Sequence, residues 1–257
     1  MLDRQGKQRS LSNESRRPRF LQIADDLREQ IAAGVLTEHA ILPSERSLSD
    51  QYSVSRMTGR RALEALETEG LVYSSDRRGR FVSPKRLKYN VSNMVSFVTN
   101  AQANDLDLEI DVIDAVESIA DKVLASLLEQ PEGKGLFEYT RLFHSGGHPI
   151  FIETEYLLAE RFPDFLANDL RQSTTRILEN SYGTWASTGD IVIRMRLVKA
   201  QEARLLNIAA SNTVIELEQI IRDETGTPFC FGRQVWRGEM AEFSAHAIVT
   251  KDDHGIG

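Results

Sequence analysis

Residues 42–82 read LPSERSLSDQYSVSRMTGRRALEALETEGLVYSSDRRGRFV, and this stretch decides the fold of the N-terminal part of the chain. Pro43-Ser44-Glu45 predicts a helix start, because a serine N-cap satisfies free backbone N–H groups and an acidic first turn suits the helix dipole. Ser55 predicts the start of a second helix, which Gly70 ends. A short helix, a tight turn and a second helix are typical of a helix-turn-helix, whose second helix enters the DNA major groove.

The two helices carry the side chains that would contact DNA. Ala62, Leu63 and Leu66 recur at helical spacing and predict the buried face of the second helix. The cationic residues of its first two turns lie outside that face, where an arginine can pair with a guanine edge. Hydroxyls and backbone N–H groups at helix starts suit phosphate oxygens. The candidate DNA contacts on the helices are Ser44, Arg46, Ser55, Arg56, Thr58, Arg60 and Arg61.

A basic hairpin follows the second helix. The segments 71–73 and 80–82 are short and apolar and predict two strands, with a turn over 74–79. A hairpin directly after a recognition helix is a wing, and a basic tip suits a minor-groove or phosphate contact. For any one arginine, a solvated surface charge is the alternative interpretation. The wing candidates are Arg77, Arg78, Gly79 and Arg80.

The motifs LPSER, SVSRMTGRRALEALETEGLV and RRGRFV, taken together, resemble the winged-helix domain of the GntR transcription regulators. The resemblance covers about residues 19–82 and implies operator binding. Two positions depart from the family pattern. Gly59 stands where the family usually has a branched apolar residue, which costs about 1 kcal/mol of helix propensity. Arg80 stands where a small threonine is common, which adds charge to the wing.

Charge is divided unevenly along the chain. The net charge is −7, yet residues 1–90 hold 17 Lys and Arg against 12 Asp and Glu, whereas residues 91–257 hold 14 against 26. A basic head on an acidic body favours local attraction to DNA phosphates. Chance variation in solvated charge is the alternative, and the helix-turn-helix pattern argues against it.

Length and composition indicate two domains in a cytoplasmic protein. The 257 residues contain no apolar run of about 18 residues, so neither a transmembrane helix nor a membrane partner is predicted. The polar N-terminus has no apolar segment typical of a signal peptide. The single cysteine, Cys230, excludes an internal disulfide and fits a reducing compartment. We therefore expect a cytoplasmic protein associated with the bacterial nucleoid.

We expect four regions along the chain. Residues 1–17 are polar and predict a disordered tail, for which a minor-groove arm is the alternative. Residues 18–83 form the winged helix-turn-helix domain, and the charged residues 84–90 form a linker. Residues 91–252 form a second folded domain.

Hydrophobic patterns in the second domain predict an α+β fold with a mainly antiparallel sheet. Two hairpins are expected, one from 136–144 with 150–158 and one from 214–222 with 229–237. Each places Gly-x-Pro between its strands, which indicates either two similar halves or the recurrence of a common turn. The other expected elements are strands over 108–116, 191–200 and 243–250 and helices over 119–128, 173–182 and 201–206.

Several motifs occur in a fixed order between residues 91 and 250. They are Arg141 with Gly147-His148-Pro149-Ile150, Ile152-Glu153, Tyr156-Leu157, Asp169-Leu170, Gln201-Glu202-Ala203 and Gly226-Thr227-Pro228. This order resembles the effector-binding UTRA domain of the HutC subgroup of GntR regulators, whose fold is related to that of chorismate lyase. The resemblance implies that Arg141, Glu153 and Ser173 bind a small, often anionic or sugar-derived effector, and that the domain dimerises.

The residues alone leave simpler alternatives open. Arg141 and Glu153 fall at facing positions of one predicted hairpin and could be a surface or cross-strand ion pair. Ser173 could be only an N-cap. Two positions also depart from the subgroup: Phe143 stands where many relatives have a second arginine, and Cys230 where an acid is often found. Both departures indicate a less charged effector.

Signals for catalysis are poor. The five histidines show no paired spacing typical of a metal site, and the chain has no CxxC motif. No glycine-rich phosphate loop of the Walker or dinucleotide type occurs. No catalytic residue, metal or cofactor is therefore predicted.

The leading hypothesis is a transcriptional repressor that binds a two-fold double-stranded operator as a homodimer. Its effector would be a sugar, an amino acid or a phosphorylated metabolite bound in the C-terminal domain. The first alternative is a chorismate-lyase-like enzyme fused to a DNA-binding domain. The second is a constitutive DNA-binding dimer without an effector.

Overall fold

The structure is a computed structural model, and it describes residues 17–75, 78–84, 86–92, 97–98 and 108–246. The chain divides into two compact units, Met1–Lys85 and Arg86–Gly257. Arg77 and nearly all of the predicted tail lie outside the described residues, as does the end of the predicted strand over 243–250.

The N-terminal unit contains three helices and a two-stranded hairpin. Its elements are α1 (Arg19–Ala32), α2 (Glu45–Tyr52), α3 (Arg56–Thr68), β1 (Val72–Ser75) and β2 (Gly79–Val82). The Ser44 hydroxyl accepts from the backbone N–H of Ser47 at 3.1 Å, and the Ser55 hydroxyl accepts from that of Thr58 at 3.2 Å. Both predicted helix starts are therefore confirmed.

The three helices and the hairpin share one apolar core. Leu27 of α1, Leu48 of α2, Leu63 and Leu66 of α3 and Val72 of β1 are all buried in it. These side chains recur on one face of each helix, so burying them fixes how the helices pack. The antiparallel hairpin closes the unit, with Val72 opposite Val82 and Ser75 opposite Gly79.

Gly59 lies where α2 and α3 approach each other closely. A Cβ at this position would meet the backbone oxygen of Glu45 and the Cβ of Leu48, each at 3.3 Å. These contacts are tighter than usual, so a side chain at this position would require the neighbouring atoms to shift by a few tenths of an ångström. The glycine lowers helix propensity, but it permits this packing.

The strands of the C-terminal unit are β3 (Leu87–Asn90), β4 (Leu108–Ile119), β5 (Gly135–Ser145), β6 (His148–Leu158), β7 (Thr188–Leu197), β8 (Thr213–Arg222), β9 (Pro228–Arg237) and β10 (Ala241–Ser244). Six of them form an antiparallel sheet in the order β4-β5-β6-β9-β8-β7. The helices of this unit are α4 (Lys122–Leu127), α5 (Thr174–Tyr182) and α6 (Ala200–Leu206), and 3-10 turns occupy Phe165–Ala167 and Gly238–Met240.

The sheet consists of two halves with the same order of elements. Strand, helix and hairpin follow one another as β4-α4-β5-β6 and again as β7-α6-β8-β9, and the halves meet where β6 pairs with β9. This recurrence supports two similar halves over the chance repetition of a turn. In the first hairpin the turn is Gly146-Gly147, and both residues have positive φ, which glycine adopts without strain.

Two predicted boundaries are wrong. The helix expected over 119–128 covers only Lys122–Leu127, because β4 continues to Ile119 and Asp121 caps the helix by accepting from the N–H groups of Val123 and Leu124. The linker expected over 84–90 ends in β3, which pairs in parallel with β10. Tyr89 of β3 is buried against Trp236, so packing of an aromatic side chain holds this segment to the C-terminal unit.

Candidate functional site

In the N-terminal unit, the start of α2, the start of α3 and the wing strand β2 line one groove. Its volume is about 440 Å³. The predicted DNA contacts that line it are Ser44, Arg46, Arg56, Arg78, Gly79 and Arg80. Residues that lie far apart in the chain are thus brought together on one surface.

Three arginines of this groove are available for a ligand. Arg46, Arg56 and Arg78 are exposed. None of the three forms a salt bridge with another residue of the described ranges. An exposed guanidinium without a carboxylate partner keeps its charge and donors for phosphate oxygens or a guanine edge.

The other predicted contacts on α3 already have partners. The Arg60 guanidinium pairs with the Glu64 carboxylate one turn later at 2.8 Å. Arg61 lies over the Phe20 ring, with its guanidinium carbon 4.6 Å from the ring centroid. The Ser55 and Thr58 hydroxyls are 2.9 Å apart. These four residues lie outside the groove lining, and the structure does not gather them with the three exposed arginines.

Arg80 connects the wing to both helices of the helix-turn-helix. Its Nη1 lies 3.3 Å from a Glu45 carboxylate oxygen of α2, and its Nε lies 3.3 Å from one of Glu67 of α3. The Arg80 side chain is only 20% exposed. Because two carboxylates balance its charge, the geometry favours an orienting role over the phosphate contact predicted from the sequence.

Replacing Arg80 with alanine distinguishes these two roles. If Arg80 only orients the wing, Arg80→Ala should lower operator affinity while the slope of log affinity against log salt stays unchanged. A lost phosphate contact would instead reduce that slope by about 0.9. Fluorescence anisotropy titrations at several salt concentrations measure both quantities, and a reduced slope would contradict the orienting role.

Met57 is a surface residue that the sequence analysis missed. It lies in the first turn of α3, next to Arg56, and is 61% exposed. An apolar side chain exposed there can contact a thymine methyl group in the major groove. Its position in the first turn of the second helix, outside the Ala62, Leu63 and Leu66 face, can be read from the sequence.

In the C-terminal unit, Arg141 and Glu153 form a buried ion pair. They lie directly opposite each other on β5 and β6, as predicted, and Glu153 lies opposite Gln234 on β9. Arg141 is 2% exposed and donates to the Glu153 carboxylate. Its Nη1 also donates to the backbone oxygens of Leu170 and Gln172 at 2.9 and 2.8 Å. The two residues therefore form the cross-strand ion pair considered from the sequence, and both side chains are buried instead of lying at the surface.

A second buried carboxylate, Glu155, belongs to the same cluster. It accepts from Arg141 at 2.8 Å, from the Tyr139 hydroxyl at 2.5 Å and from the Thr174 hydroxyl at 2.6 Å. The Tyr139 and Thr174 hydroxyls are themselves 2.8 Å apart. The sequence analysis missed Glu155, although its spacing of two residues from Glu153 on one strand places both on the same face of the sheet.

Burial governs the ionisation of this cluster. Burial raises the pKa of Glu155 above its usual value, the nearby charge of Glu153 raises it further, and the Arg141 guanidinium opposes both effects. Burial likewise raises the pKa of the Tyr139 hydroxyl and of the Cys230 thiol, with the Glu155 charge adding to each shift. Burial and neighbouring negative charge therefore both raise the pKa values of these three groups.

The raised pKa of Glu155 predicts how stability depends on pH. The pKa of a glutamate in the unfolded chain is about 4.3. A group whose pKa is higher than this in the folded state contributes stability that is fully present below about pH 4.3 and is lost as the pH rises through the folded-state pKa. We expect Glu155→Gln to remove this loss and to raise the melting temperature at pH 8 by a few degrees. Differential scanning calorimetry from pH 4.5 to 8 measures this, with Glu138→Gln on the other face of β5 as the control. Equal pH profiles for both variants and the wild type would contradict the prediction.

The cluster lines a cavity of about 30 Å³, which holds little more than one water molecule. Arg141, Glu153 and Glu155 lie in its wall together with Thr174 and Thr175. Ser173 is not part of the lining. Its hydroxyl accepts from the N–H of Arg176 at 3.4 Å as the N-cap of α5 and contacts the Thr175 hydroxyl at 2.8 Å.

The two positions that depart from the HutC pattern carry uncharged side chains that pack beside the charged cluster. Phe143 lines the cavity and stacks on Phe151 with ring centroids 4.1 Å apart. Phe151 stacks on Trp236 at 3.9 Å. Cys230 is fully buried, with its sulfur 3.8 Å from the Glu155 carboxylate. Neither position supplies a charge to the cavity.

The described residues were also compared with the requirements of a metal site and of a membrane-spanning helix. Among the residues that the structure describes, no three His, Cys, Asp or Glu side chains are grouped so that they could hold a metal ion. Within the same residues, every helix is too short or too polar to cross a bilayer.

Comparison with known proteins agrees with this geometry. Residues 20–82 match the family described as "Bacterial regulatory proteins, gntR family", and residues 103–242 match the UTRA domain. The chain is 26% identical to the HTH-type transcriptional repressor NagR of Bacillus subtilis, across 91% of this chain and 96% of that protein. It is 27% identical to the histidine utilization repressor of Pseudomonas putida, across 93% of this chain and 90% of that protein.

Solved structures show the same fold. The crystal structure of PhnF from Mycobacterium smegmatis matches 88% of this chain and 99% of its own, with a TM-score of 0.62 and 23% identity. The crystal structure of YydK from Bacillus subtilis matches 90% of this chain and 99% of its own, with a TM-score of 0.55 and 22% identity. At these identities the likeness concerns the fold alone.

Proposed function

This chain belongs to the GntR family of bacterial transcription regulators and carries the UTRA domain of its HutC-type members, and from that premise we propose that it is a metabolite-controlled repressor acting as a homodimer on a two-fold operator. Members of this family bind operator DNA and are regulators, not enzymes. The observation that carries the proposal is the groove in which Arg46, Arg56 and Arg78 converge without carboxylate partners in the described part of the chain.

Repression is the sense of regulation that the relatives support. NagR of Bacillus subtilis, the histidine utilization repressor of Pseudomonas putida and the mannosyl-D-glycerate system repressor of Escherichia coli are all named as repressors. Two of these names also refer to small metabolites, histidine and mannosyl-D-glycerate. For this chain we propose a sugar, amino-acid or phosphorylated effector that binds the cluster around Arg141 and Glu153. Such an effector acts by binding one state of the protein more tightly than another.

The edges of the sheet support a homodimer. β4 and β7 are the two edge strands, and each exposes several large apolar side chains. Exposed apolar edge strands promote association unless another surface covers them. The exposed residues are Val112, Ile113, Val116 and Ile119 on β4 and Val192, Ile193, Met195 and Leu197 on β7.

Apolar area on the two edges favours a second copy of this chain as the covering surface. The charged residues of β4 are all acidic, and the two arginines of β7, Arg194 and Arg196, already pair with carboxylates of the same chain. The exposed apolar side chains of the two edges, rather than opposite charges, therefore support their association. Two copies also fit the two half-sites of a two-fold operator.

Charged substitutions on β7 test the dimer. The side chains of Met195 and Leu197 are 73% and 68% exposed, so the double variant Met195→Glu, Leu197→Glu should fold normally. We expect light scattering to change from twice 29.0 kDa to a single chain, with operator affinity falling at least about 100-fold because the second half-site is lost. Val35→Glu, at an apolar residue that is 71% exposed in the N-terminal unit, is the control. A double variant that remains a dimer would contradict this surface.

Operator titration tests the regulatory function as a whole. The DNA upstream of the protein's own gene is labelled, and its affinity is measured by fluorescence anisotropy with and without a panel of sugars, amino acids and phosphorylated metabolites. We expect one class of metabolite to weaken binding. An affinity that no metabolite changes would instead support a constitutive DNA-binding dimer.

A further inference from the structure

Met57 lies on the face of α3 that points away from the core of the N-terminal unit. The buried residues of α3 are Gly59, Ala62, Leu63 and Leu66. Because an α-helix turns by about 100° for each residue, Met57 lies almost directly opposite the middle of that buried face. Its side chain therefore points outward, and the residue is 61% exposed.

Met57 is an apolar residue on a face that is otherwise polar. The other exposed residues of α3, all of which the structure describes, are Arg56, Arg60, Arg61, Glu64 and Thr68. The apolar core of the unit includes Leu63 and Leu66 of α3 but not Met57. The Met57 side chain therefore contributes little to folding, and a ligand that covered it would gain the free energy of burying its apolar surface.

Duplex DNA is the ligand that the surroundings of Met57 fit. The first turns of a recognition helix enter the major groove, and Met57 lies in the first turn of α3. Arg56, the residue before it, lines the groove formed with α2 and the wing. A protein partner fits this face less well, because the core of a protein–protein interface is depleted of charged residues and three arginines share the exposed face with Met57.

The four bases differ in how well their major-groove edges accept a thioether side chain. Guanine, cytosine and adenine present only hydrogen-bonding groups there, whereas thymine also presents a methyl group. Covering a hydrogen-bonding edge with an apolar chain removes water without replacing the hydrogen bond, which is unfavourable. Covering a methyl group instead buries apolar surface on both partners, and the flexible methionine side chain can adjust to the position of that group.

We propose that Met57 reads the methyl group of a thymine, so that each half-site of the operator contains a T·A base pair at the position that Met57 covers. This inference rests on the proposed regulatory function and specifies one element of the DNA sequence that the protein recognises. Met57 thus supplies sequence preference through an apolar contact, beside arginines that supply charge and hydrogen bonds.

Replacing thymine with uracil in the operator tests the contact. Deoxyuridine pairs with adenine as thymidine does and lacks only the methyl group. The operator is first obtained by selecting bound duplexes from a random pool with the full chain. Each thymine of the selected half-sites is then replaced in turn, and affinity is measured by fluorescence anisotropy. For the wild type, we expect the replacement at one position to lower the affinity roughly fourfold for each half-site, as for the loss of one buried methyl group.

Substitutions of Met57 show whether this side chain makes the contact. Met57→Ala should bind the thymine and uracil operators equally well at that position, whereas Met57→Leu, which keeps an apolar side chain of similar volume, should still prefer thymine. Val35→Ala, at an apolar residue that is 71% exposed in the same unit, should keep the full preference. Titrations at low salt keep the binding of weak variants measurable, because phosphate contacts strengthen as the salt concentration falls.

Two results would overturn this role of Met57. One is that no uracil replacement lowers the affinity of the wild type. The other is that Met57→Ala keeps the wild-type ratio of thymine to uracil affinity at every position. A wild type that selects no sequence from the random pool would instead contradict operator binding, and with it the regulatory function.

Discussion

Replacing Arg141 with alanine is expected to destabilise the C-terminal unit by about 3–5 kcal/mol and to abolish the response to effector. The reason is that Glu153 and Glu155 would remain buried without their shared cation, and an uncompensated buried charge costs this much. The two backbone oxygens that accept from Arg141, on Leu170 and Gln172, would also lose their donor. Urea unfolding followed by circular dichroism measures the stability change.

A second variant separates lost charge balance from general damage. Adding Glu153→Gln and Glu155→Gln to Arg141→Ala removes the unpaired carboxylates, so part of the stability should return although the effector response stays absent. Arg171→Ala, at an exposed arginine 3.9 Å from Asp169, should change the stability by less than about 0.5 kcal/mol. If Arg141→Ala costs less than 1 kcal/mol, the ion pair is not the organising element of this unit.

Neutralising Arg46, Arg56 and Arg78 together is expected to produce the largest loss of function. If each contacts a guanine edge, the triple alanine variant should lose roughly 3–9 kcal/mol of operator binding, since an arginine contact to a base is worth about 1–3 kcal/mol. Each phosphate contact that is lost should also reduce the slope of log affinity against log salt by about 0.9. Anisotropy titrations between 50 and 300 mM salt measure both.

Net charge needs its own control, because removing three cations weakens DNA binding in general. Lys122, Arg171 and Arg204 are exposed in the C-terminal unit, and replacing all three with alanine changes the net charge by the same amount. We expect this control to retain nearly full operator affinity. Similar losses in both triple variants would show that long-range charge, rather than the groove, governs binding.

The comparison of Arg80 with Arg56 shows how far sequence can predict the DNA-binding surface. Both are arginines at positions that the winged-helix pattern assigns to DNA, and the sequence treats them alike. Arg80 is bound to Glu45, which lies 35 residues earlier, and to Glu67. Arg56 has no salt bridge in the described ranges. Only the packing of the wing against the helices separates the two roles.

The cluster of Arg141, Glu153 and Glu155 shows a similar limit to what the sequence can predict. The facing pair Arg141 and Glu153 follows from the hairpin, because a short turn fixes the register of its strands. The contribution of Thr174 does not follow in this way. Thr174 reaches Glu155 across 19 residues and depends on how α5 packs on the sheet.

The sequence by itself determined the helix-turn-helix, the wing, the facing ion pair and the family, because helix caps, turn glycines and strand periodicity act between residues only a few positions apart. Tertiary structure alone decided which arginines remain available to DNA, that Glu155 joins Arg141, and that residues 87–90 form a strand. These features depend on distant segments that meet only when the apolar core forms, and on the burial that then changes the energy of each charge.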